Sequence, residues 1–223
     1  MPGFDIEQLV RVLSIALIPG LFAITLHEVS HGWAAKRLGD PTAFMLGRLS
    51  LNPLKHVDPL GTVVVPIAML LLSGGQMAFG WAKPVPVAFG NLRQPRRDMI
   101  LVAAAGPASN LLMATVWALL AALQVSVLHL GGGAGQWLLG VCVFGIWINV
   151  ILAVFNMLPI PPLDGGRVLS GLLPPPMSRI LDQIEPFGFM IILVLMVTRV
   201  LWVLLEPFML FFNDFFWRLA GLG

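Results

Sequence analysis

The longest uncharged stretch of the sequence is Met99–Leu163, which contains no Lys, Arg, Asp or Glu residue. Such a segment has no charge with which to face water, and it is long enough to cross a hydrocarbon core of ~30 Å more than once. The glycine-rich sequence Leu130–Gly135 interrupts it, which predicts two spans at about 100–127 and 137–158 with a turn between them. This stretch therefore requires a fold that lies largely in lipid.

Three further segments complete the predicted path through the membrane. We expect a first span at about 8–38 and a last span at about 187–205, followed by an interfacial tail at 207–223 in which aromatic residues are mixed with charged ones. Pro59–Ala82 is also uncharged, but its apolar centre is short and is closed by Ser73-Gly74-Gly75. An upright membrane helix needs about 20 apolar residues, so this segment is predicted to be re-entrant or short and tilted.

The loop region at 40–97 contains two segments that do not have a helical pattern. Pro41–Leu51 and Lys83–Phe89 are rich in Pro, Gly and residues that favour extended backbone, so we expect them to pair as short strands at the membrane surface. The predicted fold is an all-α polytopic membrane protein. It has about five transmembrane helices, a short re-entrant segment and a small membrane-associated β-sheet, all in one membrane-embedded domain over 1–223.

Composition supports a membrane protein and disfavours a nucleic-acid partner. Of the 223 residues, 58% are hydrophobic and 11% are charged, whereas a soluble domain is about 25% charged. The net charge is only +2, and the basic residues stand at the ends of apolar runs, as topology signals do. Cys142 is the single cysteine, so no intramolecular disulfide is expected. The acidic flank Met1–Glu7 is atypical of a signal peptide, so we expect the first span to be retained.

The first predicted span contains three ionisable side chains within His27-Glu28-Val29-Ser30-His31. Residues four apart on a helix share one face, so the two imidazoles can bind one ion with Glu28 beside it. This HExxH pattern predicts a zinc ion (Zn²⁺) held by His27 and His31, with Glu28 as catalytic base. The alternatives are hydrogen bonding between helices and an ion or metal transporter, although no inverted repeat supports transport.

A catalytic zinc ion usually has three protein ligands and an open fourth position. The candidates for the third ligand are His56, Asp58, His129 and Asp164. Asp164 is the best placed, because it directly follows the fourth span, between prolines that stop the helix and glycines that allow a tight turn. We expect His56 and Asp58 to have a turn or supporting role, and His129 to have no role in metal binding.

Two asparagines lie inside apolar spans, where an amide needs a hydrogen-bond partner. Asn110 and Asn156 are expected to hold helices together, although either could instead bind a carbonyl group of a substrate.

Five motifs together resemble the site-2 protease family of intramembrane metalloproteases. They are HEVSHG, NPLKHVDPLG, GWAKPVPV, AAAGPASN and FNMLPIPPLDGGR, and they cover most of residues 20–170. The last motif is much more specific than HExxH alone. The chain is similar to the short bacterial and archaeal members, which have no PDZ or CBS domain.

The resemblance implies that His27, His31 and Asp164 bind zinc, that Glu28 is the base, and that Asn156 helps to hold the substrate. It also implies cleavage of single-pass membrane proteins in or near their transmembrane segment, often after a first cut by another protease. Membrane-tethered regulators such as anti-sigma factors are the expected substrates and partners, together with the lipid bilayer. The basic loops place the site nearer the cytoplasmic side of a prokaryotic plasma membrane.

Overall fold

The computed structural model describes residues 6–72, 80 and 82–223. Its helices, in chain order, are α1 Ile6–Leu38, α2 Thr42–Met45, α3 Val65–Leu72, α4 Pro95–Leu123, α5 Gly132–Asn156, α6 Asp164–Leu172, α7 Pro175–Ile184, α8 Gly188–Val197 and α9 Val200–Leu219. Two π-helical segments adjoin this set, Pro59–Val64 before α3 and Gln124–Leu128 after α4.

Helix α1 has the charge distribution that a helix dipole favours. Glu7 lies in its first turn, and Lys36 and Arg37 lie in its last turn, where charges of these signs are stabilising. The helix ends before Gly39, whose φ of +116° is rarely adopted by residues with a side chain. The chain therefore turns sharply at this point.

The core is built around α4, which packs against α1, α5 and α6. On its α5 side, Ala114 and Ala118 are fully buried in a cluster with Ile146. Trp117 packs so closely on Gly145 that a Cβ there would lie 2.5 Å from Cγ of the indole. Small side chains allow membrane helices to approach each other closely, so α4 and α5 form a tight pair.

Within the described residues, five helical segments are long and apolar enough to cross a membrane. They are Val10–Leu38, Pro95–Leu128, Gly132–Asn156, Pro175–Val197 and Val200–Leu219. Large apolar side chains cover their outer surfaces, including Leu112, Val203 and Phe211, each about two-thirds exposed. Soluble monomers rarely expose contiguous apolar surface on this scale, so the chain is a multi-pass membrane protein, as its composition predicted.

The last two spans differ from the prediction. The expected span at 187–205 is interrupted after α8, where Arg199 adopts the left-handed conformation with φ of +62°. Helix α9 then continues through most of the expected tail at 207–223. The hydroxyl of Thr198 donates to the carbonyl of Val194 at 2.8 Å, a local bond at the break, and neither Pro nor Gly marks this position in the sequence.

The predicted β-sheet is wrong for the part of the chain that the structure describes, where no strand is found. Thr42–Met45 within the first expected strand forms a helical turn, and Lys83–Ala88 has no regular secondary structure. Two amides of the segment 83–89 are bonded to carboxylates: Val85 N–H donates to Glu28 Oε2 at 2.7 Å, and Ala88 N–H donates to the buried carboxylate of Asp40.

Two earlier expectations fall partly outside the described residues. The segment at 59–82 is helical from Pro59 to Leu72. Ser73-Gly74-Gly75, which was expected to close it, lies outside the described residues. The acidic flank at residues 1–5 is also outside. Whether 59–82 re-enters the membrane stays a prediction.

Candidate metal centre

The two histidines of the HExxH pattern lie on successive turns of α1, and both are more than nine-tenths buried. Their Nε2 atoms are 3.0 Å apart. Asp164, the first residue of α6, places its Oδ2 atom 3.2 Å from Nε2 of His27 and 3.4 Å from Nε2 of His31. The structure thus brings together residues that are far apart in the sequence.

Hydrogen bonds on the far side of each imidazole define its tautomer. Nδ1 of His31 lies 2.7 Å from the carbonyl oxygen of Val102, which can only accept, so Nδ1 carries the proton. Nδ1 of His27 lies 2.6 Å from Oδ1 of Asn110, whose Nδ2 donates to the carbonyl of Ala23. With both Nδ1 atoms donating, the neutral ring of each histidine has its lone pair on Nε2, the atom that faces Asp164.

The three converging atoms are all acceptors, and this fits a cation. Oδ2 of Asp164 is buried and has no hydrogen-bond donor within the described residues, and the three ligand atoms lie within 4.8 Å of one another. Lone pairs brought this close repel each other unless a positive charge lies between them. Two imidazole nitrogens and one carboxylate oxygen form a ligand set typical of catalytic zinc, with a fourth position open for water.

Gly106 of α4 makes this arrangement possible, and the sequence analysis missed it. A Cβ at this position would lie 2.4 Å from Nε2 of His31 and 2.7 Å from Cε1 of His27. Any side chain would therefore displace the imidazoles. The Gly-Pro pair inside an apolar span was the available signal, since glycine there permits close approach.

Glu28 lies beside the candidate metal ligands in a cleft of about 260 Å³. Its Oε2 accepts the N–H of Val85 at 2.7 Å, so the segment 83–89 holds the carboxylate. The same segment lines the cleft with Pro84, Val87 and Phe89. Val85 acts through its backbone N–H, so its residue type could not indicate this role.

Asn156 and Asn110 occupy different positions. Asn156 lines the cleft, and its Nδ2 donates to the carbonyl of Leu152 at 2.9 Å. Asn110 is fully buried behind His27 and is not among the residues that line the cleft. Asn156 therefore faces the cleft, whereas Asn110 contacts His27, a candidate metal ligand.

The other candidate ligands lie apart from this cluster. His56 is buried, and its Nε2 donates to the carbonyl of Ser50 at 2.8 Å. Asp58 accepts the N–H groups of Leu60 and Gly61 at the start of a helical segment. His129 is exposed and ends a helix in the left-handed conformation, with φ of 44°.

Arg167 also lines the cleft. Its Nη2 is 3.2 Å from Oε1 of Glu185, and its guanidinium carbon lies 4.9 Å from the ring centre of Phe89. Arg167 thus connects the start of α6 to both the segment 83–89 and the region before α8.

Comparison with known proteins agrees with this chemistry. Residues 124–198 match the family described as Peptidase family M50. The chain is 39% identical to "Putative zinc metalloprotease YwhC" of Bacillus subtilis, over 89% of this chain and 88% of that protein. It is 31% identical to "Putative zinc metalloprotease Rip2" of Mycolicibacterium smegmatis, over 86% and 70% of the two chains.

A shorter similarity reaches an archaeal protein. "Putative zinc metalloprotease MJ0611" of Methanocaldococcus jannaschii is 42% identical over 31% of this chain and 32% of its own length. No solved structure matches the chain. The similarity to YwhC extends over most of both proteins, and the structure provides a ligand set suited to zinc. The chain therefore belongs to peptidase family M50, the site-2 protease family of zinc metalloproteases.

Proposed function

We propose that this protein hydrolyses peptide bonds in or near the transmembrane segment of single-pass membrane proteins. In this proposal His27, His31 and Asp164 bind the zinc ion, Glu28 is the general base, and Asn156 helps to hold the substrate. The observation that carries it is the convergence of three acceptor atoms beside the Glu28 carboxylate, in a cleft between apolar spans. A site inside these spans is accessible to substrates that are themselves in the bilayer.

In this mechanism one residue, Glu28, carries out both proton transfers. When bound, zinc supplies Lewis-acid chemistry, because it acidifies water and polarises a carbonyl oxygen. Glu28 accepts the proton of the attacking water and then donates it to the leaving amine nitrogen. The Val85 N–H, at 2.7 Å from Oε2, holds the Glu28 carboxylate in place for both transfers.

The substrate must unwind before attack, because a membrane helix uses its carbonyl groups in its own hydrogen bonds. We expect the unwound segment to contact Pro84, Val87, Phe89 and Asn156, which all line the cleft. The segment 83–89 offers few N–H groups for pairing with a substrate strand, because Pro84 and Pro86 have none, and those of Val85 and Ala88 are already bonded.

The proposed substrates are membrane-tethered regulators, such as anti-sigma factors, in a prokaryotic cell membrane. A first cut by another protease would remove the bulk of such a substrate before this cleft acts. The basic segments between the first and third spans support a site nearer the cytoplasmic side.

The decisive experiment combines metal analysis with cleavage of a test substrate that has one transmembrane segment. Purified wild-type protein should contain about one zinc ion per chain and cleave the substrate. Glu28→Gln should retain the zinc ion and lose at least about 100-fold in turnover, because the amide cannot accept the proton.

Glu206→Gln provides a matched control, because Glu206 is exposed on α9 and away from the cleft. It should leave both zinc content and turnover unchanged. Cleavage by Glu28→Gln at the wild-type rate would overturn the assignment of the base. Ion or metal flux in vesicles, in the absence of proteolysis, would favour the transporter alternative.

A further inference from the structure

Two fully buried asparagines connect His27 to the middle of α5. Nδ2 of Asn110 donates to Oδ1 of Asn149 at 2.9 Å and to the carbonyl of Ala23 at 3.1 Å. Nδ2 of Asn149 in turn donates to the carbonyl of Gly145 at 2.8 Å. Both asparagines are 0% exposed, so these bonds form a chain that water does not reach.

The direction of every bond in this chain follows from its two carbonyl ends. The carbonyls of Gly145 and Ala23 can only accept, so each must face an amide nitrogen. Oδ1 of Asn149 is then left to face Asn110, and Oδ1 of Asn110 is left to face Nδ1 of His27, at 2.6 Å. An oxygen at that position accepts only from a protonated Nδ1.

The two histidines obtain the same tautomer by different means. His31 donates to the backbone carbonyl of Val102, which belongs to α4 and cannot rotate. His27 donates to a side chain that could rotate about its own bonds. Asn149 and the carbonyl of Ala23 together remove this freedom, because both accept from Nδ2 of Asn110 and hold its amide in one orientation.

We propose that Asn110 and Asn149 are positioning residues for the metal centre. Asn110 holds the ring and tautomer of His27 so that Nε2 faces the zinc ion, and Asn149 acts through Asn110. This inference rests on the proposed function, because it requires His27 to be a ligand. Groups that bond to the far nitrogen of a metal-binding histidine typically change metal affinity by about 10–100-fold.

The test measures the affinity for zinc by chelator competition, together with the visible absorption of the protein loaded with Co²⁺. Asn110→Leu should weaken zinc binding by about 10–100-fold and alter the cobalt spectrum. Asn149→Leu should weaken it less, by about threefold or more. The double variant should bind zinc as Asn110→Leu does, because Asn149 has no independent path to the metal.

Two further variants separate positioning from folding. Asn110→Asp retains an acceptor for Nδ1 of His27 and should bind zinc more tightly than Asn110→Leu does. Thr115→Val is the matched control on α4, since in the described part of the chain its hydroxyl bonds only to the carbonyl of Leu111 in its own helix, and zinc affinity should not change. The melting temperature of the metal-free protein, measured for each variant, reports folding alone.

The outcomes distinguish this inference from the proposed function. Wild-type protein that binds no zinc would refute both. Tight zinc binding by wild type together with unchanged affinity and cobalt spectra in both leucine variants would overturn the inference alone. Additive losses in the double variant would show that Asn149 does not act through Asn110. If leucine prevents folding, the alanine variants provide the same comparison.

Discussion

Asp40 and Asp164 both have buried carboxylate oxygens, but the groups around these oxygens differ. Asp40 is 0% exposed, and its oxygens accept from the backbone and hydroxyl of Thr42, from Ala88 N–H at 2.7 Å and from Asn91 Nδ2 at 3.1 Å. Oδ2 of Asp164 is also buried, yet it has no hydrogen-bond donor within the described residues. It faces two imidazole nitrogens that are acceptors themselves.

The difference shows that burial of a charge does not by itself identify a functional site. A buried carboxylate is stable when donors surround it. Asp40 has such donors, so it acts in the fold, where it holds the segment 83–89 against the end of α1. Asp164 faces acceptors, which favours a cation between these groups, so the candidate metal site is indicated by the hydrogen-bond donors that are missing.

The largest expected effect separates the two carboxylates by metal binding. Asp164→Asn removes a charged ligand and should weaken zinc binding by more than about 100-fold, which exceeds the effect of a supporting residue. Asp40→Asn should bind zinc as wild type does. Chelator competition on both variants provides the measurement, and equal affinities for zinc would show that Asp164 is not a metal ligand.

Asp40 is expected to affect the stability of the fold, although it should not affect zinc binding. Asp40→Ala leaves the N–H of Ala88 and the amide of Asn91 without their acceptor, which should lower the free energy of unfolding by about 2–4 kcal/mol. Asp182→Ala, on an exposed position of α7, should change it little. Denaturant unfolding in detergent tests both variants, and equal losses would show that Asp40 does not hold the segment.

A third prediction concerns the segment 83–89. Its Ala88 N–H donates to Asp40, and its Val85 N–H donates to Glu28. Val85→Pro removes the N–H that donates to Glu28 and should lower kcat by on the order of tenfold through misplacement of the base. Zinc affinity should not change, because no ligand is altered. Val87→Pro should cost less, since no bond of its N–H is seen in the described part of the chain. An equal loss in both variants would assign the effect to the stiffness of the segment.

The smallest effect is a pH dependence of stability. Burial raises the pKa of Asp40, but hydrogen bonds from Thr42, Asn91 and Ala88 outweigh it, so the net pKa lies below the ordinary value of 3.8. A lowered pKa in the folded state stabilises the protein fully above the ordinary value, and this stability is lost as the pH falls through the folded pKa. The drop in melting temperature between about pH 5 and about pH 2 should therefore be smaller in Asp40→Asn. An unchanged drop would show that Asp40 does not contribute to acid sensitivity.

The sequence alone determined the features that depend on local spacing. Uncharged runs predicted membrane helices, because lipid requires an apolar surface and a helix satisfies its own backbone. His27 and His31 could be paired from sequence, because residues four apart always share a helical face. Asp164 could be proposed because it follows a proline-rich helix end, although its contact with α1 was not given by any local rule.

Other features could not be read from local pattern. The prolines and valines of Lys83–Phe89 predicted a strand, but Lys83–Ala88 has no regular secondary structure and Phe89 begins a short 3₁₀ helix. Its pattern also did not predict its partners, which are the carboxylates of Glu28 and Asp40. The break near Arg199 also lacked the Pro or Gly that commonly marks one. Hydropathy reports how apolar a segment is and contains little information about where its helix stops.

Only the tertiary structure determined which groups surround the candidate metal ligands. Gly106 contacts the imidazoles because α4 packs there against α1. The hydrogen-bond chain from His27 to Asn149 exists because α1, α4 and α5 pack against one another. Such contacts depend on distances between segments far apart in the sequence, whereas periodicity reports only the faces of a single helix.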